Sequence, residues 1–201
     1  MKRTKEEALL TKENIMNKGL ALFVKHGFNP TTMDDILGTL KLTKGAFYGH
    51  FLNKEDLLKQ ILEREFRFIS EMVTLEFVSH KTEKQLFRDL LHKVINNFYD
   101  NKRFRNVIEL TWFKLGIDVC TKIMEDKTTF NEYFILEVQT ILNRAQKNKQ
   151  LKPKVHPYNA ALQITAMING IYRLYFVTQE QFRHKETAIN MMDAYIESTF
   201  L

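Results

Sequence analysis

A chain of 201 residues can form one large domain or a small domain joined to a larger one. Hydrophobic residues make up 44% of it and charged residues 27%, a balance typical of folded globular proteins and not of disordered chains. No apolar run approaches the roughly 18 residues of a membrane span, and the N-terminus is charged where a signal peptide would be apolar. We therefore expect a cytoplasmic protein without membrane contact.

The positive charge is densest at the N-terminal end. The net charge is +6, and residues 1–60 contain ten Lys and Arg against seven Asp and Glu, whereas residues 61–201 contain twenty against seventeen. Lys2, Arg3 and Lys5 could form a flexible basic arm. This distribution favours a polyanionic partner, although a modest positive charge can also serve solubility alone.

Motifs of enzymes and metal sites are missing from the sequence. There is no glycine-rich phosphate loop, His-Glu-x-x-His motif or G-x-S-x-G motif, and the six histidines show no pairing at three or four residues. The single cysteine, Cys120, excludes an intrachain disulfide and is expected to be a buried apolar side chain. We expect no enzymatic activity, no cofactor and no metal.

Helical periodicity dominates the chain. Five of the seven glycines fall within residues 19–49, and beyond residue 50 apolar residues recur at spacings of three and four. The pattern predicts an all-α fold of about nine helices, near residues 7–26, 32–39, 43–49, 53–78, 83–100, 103–118, 126–149, 157–179 and 184–200. Because short helices precede long ones, we expect an N-terminal three-helix domain at 1–52 and a larger helical domain at 53–201. The helix from residue 53 would link them mechanically.

Three helix starts are marked by capping residues. Thr32, with Asp35 three residues later, resembles a capping box, Thr43 precedes a second short helix, and Asn53 begins the long helix. Leu52 and Leu57 are placed as a hydrophobic staple around that last start. The first two starts leave room for two helical turns and a connection of about three residues, which is the spacing of a helix-turn-helix.

The second short helix contains two glycines, each at a cost of about 1 kcal/mol relative to alanine. Small residues beside Lys44 and Tyr48 suit a helix in the major groove of DNA, because the backbone must approach base edges while long polar side chains reach phosphates. Alternatively, Gly49 only ends the helix and Gly45 is a packing contact.

Residues 32–57 resemble the N-terminal signature of TetR-type bacterial regulators, in particular its core G-x-x-Y-x-H-F-x-x-K-E-x-L, which begins here at Gly45. Residues 23–32 (Phe23, His26-Gly27-Phe28 and Thr31-Thr32) are similar to the end of the family's first helix. The usual turn sequence Ala-Gly-Val-Ser is replaced by Leu-Lys-Leu-Thr at 40–43. Without that glycine, Lys41 must tolerate the turn backbone.

The resemblance implies a DNA-binding transcriptional regulator, a repressor that leaves its operator when a small molecule binds the C-terminal domain. The implied DNA-binding residues are Thr32, Thr43, Lys44, Gly45, Ala46, Tyr48, Gly49, His50 and Lys54. Those at 44–46 fall where the family reads bases, and the threonines, Tyr48, His50 and Lys54 are expected at phosphates. His50 could instead be satisfied within the domain. Phe47 and Phe51 are assigned to the core.

Aromatic residues of the later helices could line a pocket for a planar or amphipathic ligand, although aromatics at helical spacing are also common in plain cores. The expected pocket residues are Phe98, Glu109, Trp112, Phe113, Tyr133, Glu137 and Tyr172. An inward-facing Glu109 or Glu137 must be paired, and a cationic ligand could supply the partner. Alternatively, both glutamates lie on solvated faces and the pocket is purely apolar.

The last two helices carry apolar residues, and the family dimerises through this region. The residues expected at the homodimer interface are Ala161, Ile164, Ile168, Tyr172, Tyr175, Met192, Tyr195 and Ile196. Ordinary packing within one chain is the alternative. Two rival functions remain open: a ligand-independent DNA-binding architectural or division regulator of the same fold, and a helical interaction protein that never meets DNA.

Overall fold

The computed structural model describes residues 4–76, 81–115, 119, 123, 130–178 and 184–201. Cys120, Lys2 and Arg3 lie outside these residues. The described part contains nine α-helices: α1 Lys5–His26, α2 Met33–Leu40, α3 Lys44–Tyr48, α4 Lys54–Glu76, α5 Glu83–Asp100, α6 Lys102–Glu109, α7 Phe130–Lys147, α8 Pro157–Val177 and α9 Lys185–Thr199. The predicted all-α fold is confirmed.

Of the helix predicted at 103–118, residues 110–115 are not α-helical, and residues 116–118 lie outside the described part of the chain. The α-helix ends at Glu109 and continues as one π-helical turn, Leu110–Lys114. Within this turn the Thr111 hydroxyl donates to the carbonyl oxygens of Val107 at 3.0 Å and Ile108 at 3.1 Å. Such back-bonding by threonine competes with the regular helical hydrogen bonds, an effect that apolar periodicity does not reveal.

The chain divides into two compact units. One consists of Met1–Phe66 and Arg103–Asp126, and the other of Arg67–Lys102 and Lys127–Leu201. The first unit extends beyond residue 52 because Leu57 of α4 and Leu110 of the π-helical turn belong to the same apolar core as α1. The predicted boundary at residue 53 therefore does not match this division, and as a boundary between functions it stays a prediction.

The core of the first unit joins α1, α2 and α3, the helices of the helix-turn-helix region. Phe23 of α1, Phe47 of α3 and Phe51 are all buried, and the rings of Phe47 and Phe51 lie 5.3 Å apart, which confirms their assignment to the core. Gly19 permits a close approach of α1 and α4, because a Cβ there would come within 3.0 Å of Leu57 Cδ2.

A charged cluster adjoins this core and was not predicted. Glu65 of α4 is only 5% exposed, and its Oε1 atom accepts from Arg64 Nε at 2.8 Å. Arg64 also bonds Glu13 of α1 through Nη1 at 2.7 Å, and Arg103 Nε lies 4.0 Å from Glu65. The cluster thus joins α1, α4 and α6 within the first unit.

The turn between α2 and α3 has the left-handed conformation in which glycine is common. Lys41 has φ 53° and ψ 38°, its N–H donates to Gly38 and Leu37, and the Leu42 N–H donates to the Leu37 carbonyl at 3.1 Å. A left-handed conformation costs a side-chain-bearing residue roughly 1–2 kcal/mol. Lys41 therefore adopts the helix-ending turn that the family's usual glycine would make without this cost.

The second unit is a bundle in which α5 packs against α9 and α7 against α8. A hydrogen bond and an ion pair line the exposed edge of the α5–α9 contact: His92 Nε2 lies 2.9 Å from Asp193 Oδ1, and Arg88 Nη2 lies 2.8 Å from Glu197 Oε1. The Leu201 N–H donates to the Gln150 carbonyl at 2.9 Å. Among the described helices, none combines the length and the apolar composition needed to cross a bilayer.

Candidate nucleic-acid interface

The predicted capping box of α2 is confirmed. The Thr32 hydroxyl accepts from the Asp35 N–H at 3.1 Å, and Asp35 Oδ2 accepts from the Thr32 N–H at 2.8 Å and from its hydroxyl at 2.7 Å. The bonds that Asp35 accepts lower its pKa, and the bond from the Thr32 hydroxyl has the larger effect. Because the pKa is lowered in the folded state, the box stabilises the fold at neutral pH, and this contribution is lost as the pH falls through that pKa.

The first turns of α2 and α3 share one exposed surface. Thr43 caps α3 by accepting from the Ala46 N–H at 3.3 Å. Lys44 Nζ lies 3.2 Å from Asp34 Oδ1, with side chains 64% and 69% exposed. Tyr48 is 55% exposed on the same helix as Lys44. The surface therefore presents Lys44 beside two helix N-termini, where the helix dipole favours anions, and Tyr48 at the other end of α3.

The two glycines of this region are not explained by contacts within the chain. A Cβ at Gly45 would meet only Thr43 Oγ1, at 3.8 Å, and one at Gly49 would meet the Gly45 carbonyl at an ordinary 3.5 Å. Gly49 is the C-cap of α3 but has the right-handed conformation, φ −70° and ψ −12°, which any residue adopts. Neither a helix end at Gly49 nor a packing contact at Gly45 therefore requires glycine. The open space at Gly45 is available to a partner.

The predicted phosphate contact of Lys54 is not supported. Its Nζ atom donates to the carbonyl oxygens of Phe28 at 2.9 Å, Asn29 at 3.2 Å and Thr31 at 2.9 Å, and lies 4.5 Å from the centroid of the Phe28 ring. An ammonium group has three hydrogens to donate, and all three are engaged. Lys54 therefore joins the start of α4 to the α1–α2 connection.

Two further predictions at the start of α4 have different outcomes. Asn53 accepts from the Asp56 N–H at 2.7 Å, as expected of an N-cap residue. The hydrophobic staple is wrong, because Leu52 is 81% exposed whereas Leu57 is fully buried. His50 is half-buried with its ring 6.1 Å from that of Phe51, and its phosphate contact stays a prediction.

The predicted pocket residues fall into both units. In the second unit, Phe98 and Tyr172 are buried with stacked rings 4.1 Å apart, and burial raises the pKa of Tyr172. Half-buried Glu137 forms a hydrogen bond with Tyr133 of its own helix. Burial, and next this hydrogen bond, raise the pKa of Tyr133. The remaining three, Glu109, Trp112 and Phe113, belong to the first unit. The pocket stays a prediction.

The predicted dimer interface is wrong for most of its residues. Ala161, Ile164, Ile168, Tyr172, Met192 and Ile196 are at most 3% exposed in the single chain. They form the bundle core and cannot also present a surface to a second copy. Periodicity did not separate them from a second apolar stripe of α8, on which Tyr158 is 45% and Leu162 39% exposed, with Ala166 also exposed.

Two family models match the chain. Residues 15–61, which include the paired first turns of α2 and α3, match the model described as bacterial regulatory proteins, tetR family. Residues 82–200 match the model of the C-terminal region of MAATS-type transcriptional repressors. The chain belongs to the tetR family. The predicted family and the assignment as a DNA-binding transcriptional regulator are thereby confirmed.

Curated relatives agree with this assignment. The HTH-type transcriptional regulator AcrR of Shigella flexneri is 25% identical over 100% of this chain and 94% of its own. The transposon Tn10 TetC protein of Escherichia coli is 36% identical over 71% of this chain and 68% of its own. The probable acrEF/envCD operon repressor of Escherichia coli strain K12 is 34% identical, but the match spans 47% of this chain and 42% of that protein.

Solved structures share the fold over nearly the whole chain. SmeT, the repressor of the Stenotrophomonas maltophilia multidrug efflux pump SmeDEF, has a TM-score of 0.78 at 21% identity, covering 94% of this chain and 90% of that one. A SmeT–triclosan complex gives 0.77 at 24% identity, covering 92% and 90%. Both therefore support an N-terminal helix-turn-helix followed by a helical domain.

Proposed function

We propose that this tetR-family protein is a cytoplasmic repressor that binds operator DNA as a homodimer through α2 and α3 and releases it when a small molecule binds. The observation that carries the DNA-binding part is the exposed face of α3, where Lys44 precedes and Tyr48 follows a glycine whose Cβ position opens onto solvent. No contact within the chain requires glycine at position 45. A backbone that must approach base edges closely explains why the residue has no side chain. The proposed contacts are Thr32, Thr43, Lys44, Gly45, Ala46, Tyr48, Gly49 and His50.

The Gly45→Leu substitution is expected to weaken specific operator binding while leaving the protein folded. The open space around Gly45 accommodates the side chain within the chain, but the side chain would stand between α3 and the groove. Duplexes selected from a random pool by the wild-type protein, followed by fluorescence-anisotropy titration, measure the effect. We expect a loss of at least about tenfold, corresponding to one base contact of 1–3 kcal/mol.

Leucine at Gly38 is the matched control. Gly38 lies in α2 and has nothing within 4 Å of its Cβ position, so the substitution adds the same apolar group to a helix of the same unit. It should leave operator affinity near that of the wild type. Equal affinity of the Gly45→Leu protein and the wild type would refute the placement of α3 in the groove.

The proposed homodimer uses the exposed stripe of α8, formed by Tyr158, Leu162 and Ala166, together with exposed Ala194 of α9. Two long helices from each of two copies make a four-helix interface, which would set the spacing of the two recognition helices. We expect Leu162→Glu to convert a dimer into a monomer at micromolar concentration in sedimentation equilibrium. Leu136→Glu, which places the same charge on an exposed leucine of α7, should remain dimeric.

The proposed effector is a planar, amphipathic small molecule. This part of the proposal is supported by relatives named as operon repressors and by the triclosan complex of SmeT. If the repressor is to change from mostly DNA-bound to mostly free, the effector must bind the released state roughly 10⁴-fold more tightly than the DNA-binding state. Triclosan added to the anisotropy titration provides the direct probe, with thermal stabilisation as an independent readout.

A further inference from the structure

Asp34 places a carboxylate on the surface that the proposed function assigns to DNA. Its Oδ1 atom lies 3.2 Å from Nζ of Lys44, which occupies the first position of α3. The Asp34 side chain is 69% exposed. An acidic group beside the proposed base-reading lysine opposes binding to any polyanion, so its presence calls for a physical explanation.

Helix capping does not explain Asp34. The neighbouring carboxylate, that of Asp35, accepts both bonds from Thr32 and completes the capping box. Asp34 instead reaches across to α3, and an exposed ion pair of this kind adds little to folding stability. The pair is therefore better explained by what it presents to a partner than by what it adds to the fold.

The pair matches the major-groove edge of a G·C base pair. In that groove cytosine offers the N4 amino group as a donor, and guanine offers O6 and N7 as acceptors. Cytosine N4 and guanine O6 are themselves joined by a Watson–Crick hydrogen bond, so they lie about 2.9 Å apart. The 3.2 Å between the Asp34 oxygen and the Lys44 nitrogen nearly equals that separation, with acceptor and donor in complementary order.

We propose that Asp34 and Lys44 act together as the reader of one G·C pair in each operator half-site. Lys44 donates to guanine O6 and N7, and Asp34 accepts from cytosine N4. An A·T pair fits less well, because thymine places its methyl group beside O4, where the ammonium would lie. Against phosphates and base acceptors the Asp34 carboxylate is repelled, so it also lowers non-specific affinity. This inference rests on the proposed DNA binding.

The test compares the sequence preferences of full-length variants. Duplexes are selected from a random pool by the wild-type protein and by the Asp34→Asn and Lys44→Met variants, and affinities for the selected and an unrelated duplex are titrated. Asp89→Asn is the control for net charge, because Asp89 is also an aspartate paired with a lysine, at 2.6 Å from Lys81 Nζ. Thermal unfolding of each variant confirms that it is folded.

We expect Asp34→Asn to raise the affinity for the unrelated duplex severalfold and to reduce the preference for G·C at one position of each half-site by about tenfold. Lys44→Met should lose the preference at the same position, and Asp89→Asn should change neither quantity. Identical preferences of the Asp34→Asn and wild-type proteins, or a loss confined to an A·T position, would overturn the inference while leaving the proposed repressor intact. Failure of the wild-type protein to select any duplex would instead overturn the proposed function.

Discussion

Replacement of Lys54 by methionine is expected to lower the free energy of unfolding by about 2 kcal/mol, with no effect on the salt dependence of DNA binding. The ammonium group donates to three backbone carbonyls between α1 and α2 and lies over the Phe28 ring. Methionine keeps the length of the side chain but offers no donor. Urea denaturation followed by circular dichroism measures the loss.

Lys25→Met is the matched control, because Lys25 is an exposed lysine in the last turn of α1. It should change the unfolding free energy by less than about 0.5 kcal/mol. A phosphate contact at Lys54 would give the opposite pattern, with little loss of stability and a salt slope reduced by about one unit. That result would restore the role that the TetR resemblance implies for this lysine.

Replacement of Glu65 by leucine is expected to have the largest effect on stability, a loss of about 3–5 kcal/mol. Glu65 is 5% exposed and Arg64 18% exposed, so removing the carboxylate leaves a largely buried guanidinium group without the more deeply buried of its two carboxylate partners. Arg103 Nε, 4.0 Å from the same carboxylate, is affected as well. Equilibrium unfolding in urea at neutral pH provides the measurement.

The double variant Arg64→Met, Glu65→Leu supplies the control. When both charges of a buried pair are replaced by apolar groups of similar size, the change in stability is often close to neutral. The double variant should therefore be more stable than Glu65→Leu alone, although it also loses the bond from Arg64 to Glu13. A single variant within 1 kcal/mol of the wild type, or a double variant less stable than the single one, would contradict the interpretation of the cluster.

Interactions between residues close in the chain were predictable from the sequence. The caps at Thr32, Thr43 and Asn53 each join atoms three residues apart, and all three are present in the structure. The apolar spacing of Phe47 and Phe51 correctly placed them in the core. Because the helix-turn-helix depends on such short-range patterns, the sequence by itself determined the fold class, the family and the helix that presents the proposed DNA contacts.

Only the tertiary structure decided which partner each longer-range side chain takes. The bonds of Lys54 span more than twenty residues and the Arg64–Glu13 pair spans 51, so no local pattern distinguishes these side chains from solvated or phosphate-binding ones. Likewise, α8 carries two apolar stripes, and only its packing against α7 and α9 shows that Ile164 lies in the core and Leu162 on the surface. Periodicity reports that a face is apolar, whereas the arrangement of the helices determines what covers it.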